Sequence, residues 1–180
     1  MYKIERKEIL TPNITLMEVM APRLASSAQP GQFLIVRVGE NGERIPLTIC
    51  NYNREKGTVT IVTQIVGASS FKICSLNEGD SFTDVVGPLG QPSELIDIHP
   101  NKLKEMRFLF IAGGLGTAPV YPQAKFLHER GAYVDIIVGA KTKDMVILEK
   151  EMSAVCNHLY ICTDDGSYGE KGLVTAMVDK

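Results

Sequence analysis

One stretch, Gly113-Gly114-Leu115-Gly116-Thr117-Ala118-Pro119, decides how the second half of this chain folds. It follows the apolar run 108–112 and precedes a segment with helical character. Glycines at a strand-to-helix junction let the backbone approach a phosphate group, and a proline suits the first position of a helix. The stretch therefore predicts a nucleotide-phosphate loop. A tight turn that simply requires glycine is the alternative at this point.

Composition predicts a soluble globular protein whose partners are small ligands or other proteins. The chain has 180 residues, of which 44% are hydrophobic, and this is enough for one large domain or two small ones. The net charge is −2, from 19 basic and 21 acidic residues mixed along the chain, which predicts neither a nucleic-acid nor a membrane partner. The charged N-terminus lacks a secretory pattern and no apolar run approaches membrane-spanning length, so we expect a cytoplasmic protein.

The cysteines predict no metal site. Cys50, Cys74, Cys156 and Cys162 are scattered, and no pair has the C-x-x-C spacing that zinc or iron–sulfur sites use. We interpret all four as reduced thiols of the core, as is usual for cysteines of cytosolic proteins.

Two kinds of pattern divide the chain. Up to about residue 90, short apolar segments alternate with turns, and the segment 58–66 is almost wholly β-branched. This half predicts an antiparallel β barrel or sandwich. From residue 107, strand-like and helix-like segments alternate, which is typical of an α/β domain with a parallel sheet. The predicted strands are 107–112, 133–140 and 158–162, and the predicted helices are 120–130, 144–155 and one that starts at 171.

The domain boundaries follow from these patterns. We predict a barrel domain over 1–95 and an α/β domain over 105–180, with a linker within 92–106. A parallel sheet of three strands would leave an apolar edge uncovered. We therefore expect the α/β domain to be incomplete, either because the chain is C-terminally truncated or because a partner covers this edge.

The segment Arg44-Ile45-Pro46-Leu47-Thr48 combines one guanidinium with one hydroxyl four residues later. In a strand, residues four apart lie on one face about 13 Å from each other, which suits an elongated ligand with an anionic end. An ordinary strand with an exposed arginine is the alternative.

The segment Gly67-Ala68-Ser69-Ser70 follows a buried-looking strand and precedes a possible helix. Small residues with free N–H groups at a helix start form an anion site. The alternative is that Ser69 or Ser70 only caps the helix.

The segment Asp164-Asp165-Gly166 follows the last predicted strand, at the edge where parallel sheets bind ligands. Its carboxylates could bind ribose hydroxyls or a carboxamide, or they could form a turn. No acidic residue ends the second strand; Lys141-Thr142-Lys143 follows it instead, so the usual acidic ribose ligand is missing.

The chain resembles the ferredoxin–NADP reductase superfamily in four motifs and in their order. They are Arg44-x-Pro-Leu-Thr, Gly67-x-Ser-Ser, Gly87-Pro-Leu-Gly and Gly113-Gly-x-Gly-x-Ala-Pro. Within it, the chain is most similar to the small FAD-carrying subunits of NADH-dependent reduced ferredoxin:NADP oxidoreductases. A close second is the electron-transfer subunit of NAD-dependent dihydroorotate dehydrogenases, which more often carries serine where this chain has Thr48.

The resemblance implies a flavin site in the first half. Arg44 would pair with the FAD pyrophosphate, Pro46 and Leu47 would lie along the flavin, and the catalytic contact would be Thr48 near flavin N5 or O4. The remaining implied flavin contacts are Gly67, Ser69 and Ser70 at the phosphates, and Thr63 and Gln64 at the border of the flavin.

The resemblance also implies a nicotinamide nucleotide site in the second half. Gly114, Gly116, Thr117 and Ala118 would receive NAD(H), with NADP(H) less favoured, and the far side would be bordered by Asp164, Asp165 and Gly166. The implied activity is that of an electron-transfer subunit, which exchanges hydride between NAD(H) and FAD and passes electrons to a larger partner subunit. Family members use a [2Fe-2S] cluster for the last step, and this chain lacks the cysteine-rich segment that holds it. A non-catalytic nucleotide-binding module is the alternative from another class.

Overall fold

The computed structural model describes residues 2–178. The chain divides into two compact units, Met1–Ser93 and Glu94–Lys180. The segment 94–106, expected to be a linker, contains a 3-10 turn over Glu94–Asp97 and the short helix α3, Pro100–Leu103.

The first unit is built on one antiparallel sheet of seven strands, with two short helices. The strands are β1 (Tyr2–Thr11), β2 (Ile14–Met20), β3 (Phe33–Arg37), β4 (Ile45–Asn53), β5 (Thr58–Gln64), β6 (Ser81–Phe82) and β7 (Asp84–Leu89), and the helices are α1 (Pro22–Ser27) and α2 (Ala68–Ser75). The strand order is β6-β1-β2-β5-β4-β3-β7. Only Thr83 separates the two outermost strands in the chain, so the sheet curls into a nearly closed barrel.

β5 is the central strand of this sheet, and six of its seven residues are buried. β-Branched residues favour such a strand because they pack well on a pleated surface. The strand ends at Gln64, two residues before the end of the β-branched run, because the chain then turns into α2 and leaves Val66 83% exposed. The core around β5 contains Ile4, Met17, Leu34, Ile61 and Phe82, each at most 1% exposed.

The second unit is a parallel sheet of four strands in the order β11-β10-β9-β8. Its elements are β8 (Arg107–Gly113), α4 (Thr117–His128), β9 (Tyr133–Ala140), α5 (Glu149–Ser153), β10 (His158–Thr163), β11 (Glu170–Lys171) and α6 (Val174–Val178). The predicted order of an antiparallel barrel followed by a parallel α/β sheet is confirmed. Across residues 2–178, no helix is long and apolar enough to cross a membrane.

Several predicted elements have different bounds. The predicted helix 144–155 is interrupted, because Leu148 adopts a left-handed conformation (φ 57°) and α5 begins only after it. The sheet has a fourth strand, the two-residue β11, where three were expected. Pro119 is the third residue of α4 and not the first. It is tolerated there because the first four N–H groups of a helix have no partner within the helix.

Candidate functional site

The candidate flavin residues of the first unit converge at one end of the barrel. Ile49 of β4 pairs with Ile61 of the antiparallel β5, so the start of β4 and the end of β5 lie side by side. This arrangement brings Leu47 and Thr48 near Thr63 and Gln64. α2 begins only a few residues after β5, at the same end of the sheet.

Arg44 lies immediately before β4 and its side chain is 58% exposed. Its Nη2 donates a hydrogen bond of 3.0 Å to Oδ2 of Asp84, the first residue of β7. Because β3 lies between β4 and β7 in the sheet, this ion pair reaches across one strand. The other N–H groups of the guanidinium stay available to an anionic ligand.

The two serines in the first turn of α2 have different roles. Ser70 is 7% exposed, and its Oγ accepts hydrogen bonds from the N–H groups of Val66 (2.8 Å) and Gly67 (2.9 Å) and donates to the Gly67 carbonyl. Ser70 therefore caps its own helix, in agreement with the capping alternative. Ser69 points the other way, and its hydroxyl donates to the carboxylate of Glu43.

Ser69 and Glu43 border a cavity of about 220 Å³ beside α2. The residues that line it also include the apolar Val38, Ile45 and Ile73 and the basic Lys72. Gly67 precedes this helix with φ −176°, which any residue adopts, and a Cβ there would meet no protein atom within 4 Å. Neither backbone conformation nor packing requires glycine at this position, so the open space above the helix start favours the approach of a ligand.

Two threonine hydroxyls near the end of β5 lack partners within the described residues. Thr63 is 3% exposed and its Oγ1 has no hydrogen-bond partner. Thr48 is half-buried, and within residues 2–178 its hydroxyl is likewise unpaired. Leaving a buried hydroxyl unpaired costs about 1–3 kcal/mol. These groups are therefore available to a polar ligand.

In the second unit, the carboxyl ends of three parallel strands are aligned. Gly113 of β8 pairs with Gly139 of β9, which in turn pairs with Cys162 of β10. The glycine loop that follows β8 and the acidic loop that follows β10 consequently flank the end of β9. Since neighbouring strands lie about 4.8 Å apart, the two loops are roughly 10 Å from each other.

The glycine loop forms a 3-10 turn over Gly114–Gly116 that leads into α4. Gly114 has φ +51°, a left-handed conformation that favours glycine, whereas Gly116 is an ordinary right-handed residue with φ −60°. A Cβ at either position would meet nothing within 4 Å. Thr117, the first residue of α4, is fully buried, and its Oγ1 has no partner in the described part of the chain. Open space above a helix start is what a phosphate-binding loop needs.

The acidic loop is held together by its own residues. Asp165 accepts hydrogen bonds from the N–H (2.9 Å) and hydroxyl (2.6 Å) of Ser167, and these bonds lower the pKa of its carboxyl below the usual value. Asp165 thus acts as a turn former, which was the alternative interpretation. The carboxylate of Asp164 is exposed and has no hydrogen-bond or ion-pair partner among residues 2–178. Gly166 has φ +76°, which the turn requires.

The four cysteines are free thiols, and all but Cys156, which is half-buried, are buried. Burial raises the pKa of Cys74, Cys156 and Cys162, which keeps these thiols protonated. No cluster of three His, Cys, Asp or Glu residues suited to a metal ion is present in the part of the chain that the structure describes.

Sequence reasoning missed Glu43 and Asp84, the carboxylates that contact the two candidate phosphate ligands. Glu43 had a weak signal, because it directly precedes Arg44. Asp84 had none, since it lies 40 residues from Arg44 in the chain and approaches it only through strand pairing.

Known proteins share both the sequence and the fold, although no family model matches the chain. An uncharacterised Clostridium beijerinckii protein encoded in the adh 3′ region is 52% identical over 178 residues, which cover 99% of this chain and 60% of that protein. A Thermotoga maritima homologue of the dihydroorotate dehydrogenase B (NAD+) electron transfer subunit is 39% identical over 178 residues, with the same coverage of 99% and 60%.

The Streptococcus mutans dihydroorotate dehydrogenase B (NAD+) electron transfer subunit is 35% identical over 184 residues, which cover 95% of this chain and 69% of that subunit. The chain belongs to this family. It spans about 60% of the length of the Clostridium and Thermotoga relatives.

Solved structures agree with this assignment. An NADH-dependent reduced ferredoxin–NADP oxidoreductase, studied for flavin-based electron bifurcation, has a TM-score of 0.89 and 34% identity, and the match covers 99% of this chain and 62% of that chain. Ferredoxin–NADP+ reductase from Plasmodium falciparum shares the fold, with a TM-score of 0.69 at 17% identity over 93% of this chain and 71% of that chain. The resemblance to the ferredoxin–NADP reductase superfamily is therefore confirmed.

The two serines at α2 generate a stability prediction. Ser70→Ala should lower the free energy of unfolding by about 0.5–2 kcal/mol, because it removes the oxygen that accepts hydrogen bonds from the N–H groups of Val66 and Gly67 at the start of α2. Ser69→Ala is the matched control and should change it by no more than about 0.5 kcal/mol, because the lost contact is exposed. Urea unfolding of both variants measures the difference. Equal effects of the two substitutions would contradict the assigned cap.

Proposed function

We propose that this chain is an FAD-carrying electron-transfer subunit, which exchanges hydride between NAD(H) and FAD and passes electrons to a larger partner subunit. The observation that carries the proposal is the convergence of Arg44, Thr48, Ser69 and the start of α2 at one end of the barrel in a chain of this family. The residues span a strand face and a helix start, as an elongated dinucleotide requires.

The described residues fit the phosphates of FAD. Arg44 supplies a guanidinium with unused N–H groups, and a guanidinium matches phosphate oxygens in a bidentate manner. Ser69 supplies a hydroxyl at the cavity beside α2, and the first N–H groups of that helix have no intrahelical partner. The open space above Gly67 leaves room for the pyrophosphate. Ser70 contributes indirectly, since it fixes the helix start that carries Ser69.

Pro46, Leu47 and Thr48 would lie along the flavin ring, with Thr63 and Gln64 at its border. Pro46 is exposed and the Thr48 hydroxyl is unpaired, whereas Leu47 is half-buried and packs against the core. The start of β4 therefore offers the Pro46 ring and one hydroxyl on one face of the strand. Bound FAD supplies the chemistry, since it accepts hydride from reduced nicotinamide and releases electrons singly. The protein supplies orientation and electrostatics, and we propose that the Thr48 hydroxyl donates a hydrogen bond to the reacting edge of the ring.

NAD(H) would bind at the carboxyl edge of the parallel sheet. The loop Gly114, Gly116, Thr117 and Ala118 would receive the phosphates, because the helix start offers free N–H groups and open space. The free carboxylate of Asp164 would accept hydrogen bonds from ribose or carboxamide, whereas Asp165 and Gly166 would shape the loop.

The residues of this chain do not fit the iron–sulfur cluster that the resemblance implies for the release of single electrons. The four cysteines are scattered in the sequence, and Cys50, Cys74 and Cys162 are buried. Burial raises the pKa of Cys74, Cys156 and Cys162, which keeps these three thiols protonated. A cluster requires several thiolates at one place. The proposed role of an electron-transfer subunit fits two kinds of larger partner. One is the partner subunit of a dihydroorotate dehydrogenase, and the other is that of a reduced ferredoxin:NADP oxidoreductase.

Replacing Arg44 should weaken flavin binding. Arg44→Ala removes a charged hydrogen bond to phosphate, worth about 1.5–3 kcal/mol, so the Kd for FAD should rise by roughly 10-fold to 150-fold. Spectroscopic titration of reconstituted protein measures this value. Arg23→Ala, a change of another exposed arginine, is the control and should leave the Kd unchanged. A folded protein that retains no flavin absorbance after incubation with saturating FAD and removal of the free FAD would overturn the proposed function.

Two glycine substitutions separate binding from stability. Gly116→Ala should leave the free energy of unfolding within about 0.5 kcal/mol, because its φ and its surroundings accept a Cβ. It should weaken NADH binding by about tenfold or more, since the Cβ fills the space meant for the phosphates. Gly114→Ala should also destabilise the fold by about 1–2 kcal/mol, because of its left-handed backbone. Flavin reduction at varied NADH concentrations, together with urea unfolding, tests both. Unchanged NADH affinity in Gly116→Ala would remove the loop from the site.

We propose a preference for NADH over NADPH because the dihydroorotate dehydrogenase relatives of this family are named for NAD+. Lys141 and Lys143, which follow β9, are exposed, and the ammonium group of Lys143 lies 5.3 Å from the ring centre of Tyr168. Stopped-flow flavin reduction should therefore be at least about tenfold more efficient with NADH than with NADPH. The preference for NADH would be wrong if NADPH reduced the flavin equally well and if Lys141→Ala and Lys143→Ala slowed only the reaction with NADPH.

A further inference from the structure

Both candidate phosphate ligands of the first unit contact a carboxylate. The guanidinium of Arg44 pairs with Asp84, and the hydroxyl of Ser69 donates to Glu43. Glu43 and Arg44 are neighbours in the turn before β4, so one short segment contributes a cation and an anion to the same region. The two carboxylates differ in what they leave available to a ligand.

The contact between Ser69 and Glu43 excludes a phosphate. A serine hydroxyl has one proton and can donate one hydrogen bond at a time. When that proton is donated to Glu43, it is not available to a phosphate oxygen. Glu43 also places a negative charge at the cavity beside α2, where a phosphate would meet it as a like charge. A phosphate and this position of the Glu43 carboxylate are therefore mutually exclusive.

The contact between Arg44 and Asp84 does not exclude a phosphate. A guanidinium has five N–H donors, and Asp84 uses only one nitrogen, Nη2. Asp84 is also the better buried partner, 26% exposed against 58% for Arg44. An anchored carboxylate that leaves most donors free holds the guanidinium in one orientation.

Displacement of Glu43 needs no rearrangement of the backbone. The turn between β3 and β4 is tethered upstream of Glu43, where the Gly39 N–H donates to Thr83 Oγ1 (2.7 Å) and Arg37 Nη1 donates to the Glu40 carbonyl (2.9 Å). The contact with Ser69 involves only the side chain of Glu43, which is exposed. Rotation of that side chain away from Ser69 would release the hydroxyl.

We propose that Glu43 is a built-in competitor of the flavin phosphates, whereas Asp84 is a positioning residue for Arg44. In the flavin-free chain the Glu43 carboxylate holds the anion position at Ser69, and the pyrophosphate of FAD displaces it. This inference rests on the proposed flavin site. It adds that Glu43 makes the affinity of the site for FAD lower than the groups that bind the phosphates, Arg44 and Ser69, would give without it.

The test compares Glu43→Gln with Glu40→Gln, which removes the same charge from the same turn without a contact to Ser69. Glu43→Gln should bind FAD about 3-fold to 10-fold more tightly than the wild type, because a competing exposed charge is lost. Glu40→Gln should match the wild type. Inorganic pyrophosphate, titrated by calorimetry, should show the same gain, whereas riboflavin, which has no phosphate, should show none. Asp84→Asn should have the opposite sign and weaken FAD binding.

A double-mutant cycle gives a second readout. In a Ser69→Ala background, the gain in FAD affinity from Glu43→Gln should be smaller than in the wild type, because competition for the hydroxyl proton is absent and only the effect of the lost charge is left. If FAD binding depends on Arg44 but Glu43→Gln behaves as Glu40→Gln or weakens binding, the inference is wrong and the proposed function stands. If the folded wild type binds neither FAD nor pyrophosphate, both are wrong.

Discussion

The register of β5 against its two neighbours is the constraint on which the candidate flavin site depends. β5 is central in the seven-stranded sheet and nearly all of it is buried. A shift of one residue would replace Val59 and Ile61 in the core by side chains of the opposite face, such as Thr60 and Val62, so packing specifies this register. The same register sets where the strand ends, and hence where α2 starts relative to Thr48 at the beginning of β4. Core packing and ligand geometry are thus determined together.

The second unit depends on a comparable alignment, produced by parallel pairing. β8, β9 and β10 end at the same edge because Gly113, Gly139 and Cys162 are in register. Glycine at 139 is itself demanded by packing, since a Cβ there would come within 2.3 Å of Val174 in α6. The loops at this edge can therefore vary in sequence while the rigid strand ends hold their positions.

The sequence pattern predicted those strands whose bounds are determined by neighbouring residues in the chain. The strand over 133–140 was predicted at its observed bounds, because its apolar run is flanked by clear turn residues. The helix predicted over 144–155 was not, because the left-handed backbone of Leu148 follows from tertiary packing and leaves no mark in the periodicity. At the candidate site, the motif residues could be named from the sequence. The different roles of Ser69 and Ser70 could not be predicted from the sequence, because either hydroxyl suits a helix cap. Only the observed hydrogen bonds distinguish the two residues.

The carboxylates of Glu43 and Asp84 agree with the electrostatics of a site that we propose to bind an anion. The guanidinium of Arg44, the cation of Lys72 beside the cavity and the N-terminus of α2 all contribute positive charge to this region, and they repel one another. The carboxylates of Glu43 and Asp84 reduce that repulsion. Under the proposed function, Glu43 would meet a bound phosphate as a like charge, whereas Asp84 would orient Arg44 for it. At Glu43, stability without ligand and affinity for ligand would therefore be opposed. A carboxylate that can move aside, as we propose for Glu43, stabilises the chain without ligand. It lowers the affinity for the ligand less than a fixed carboxylate at the same position would.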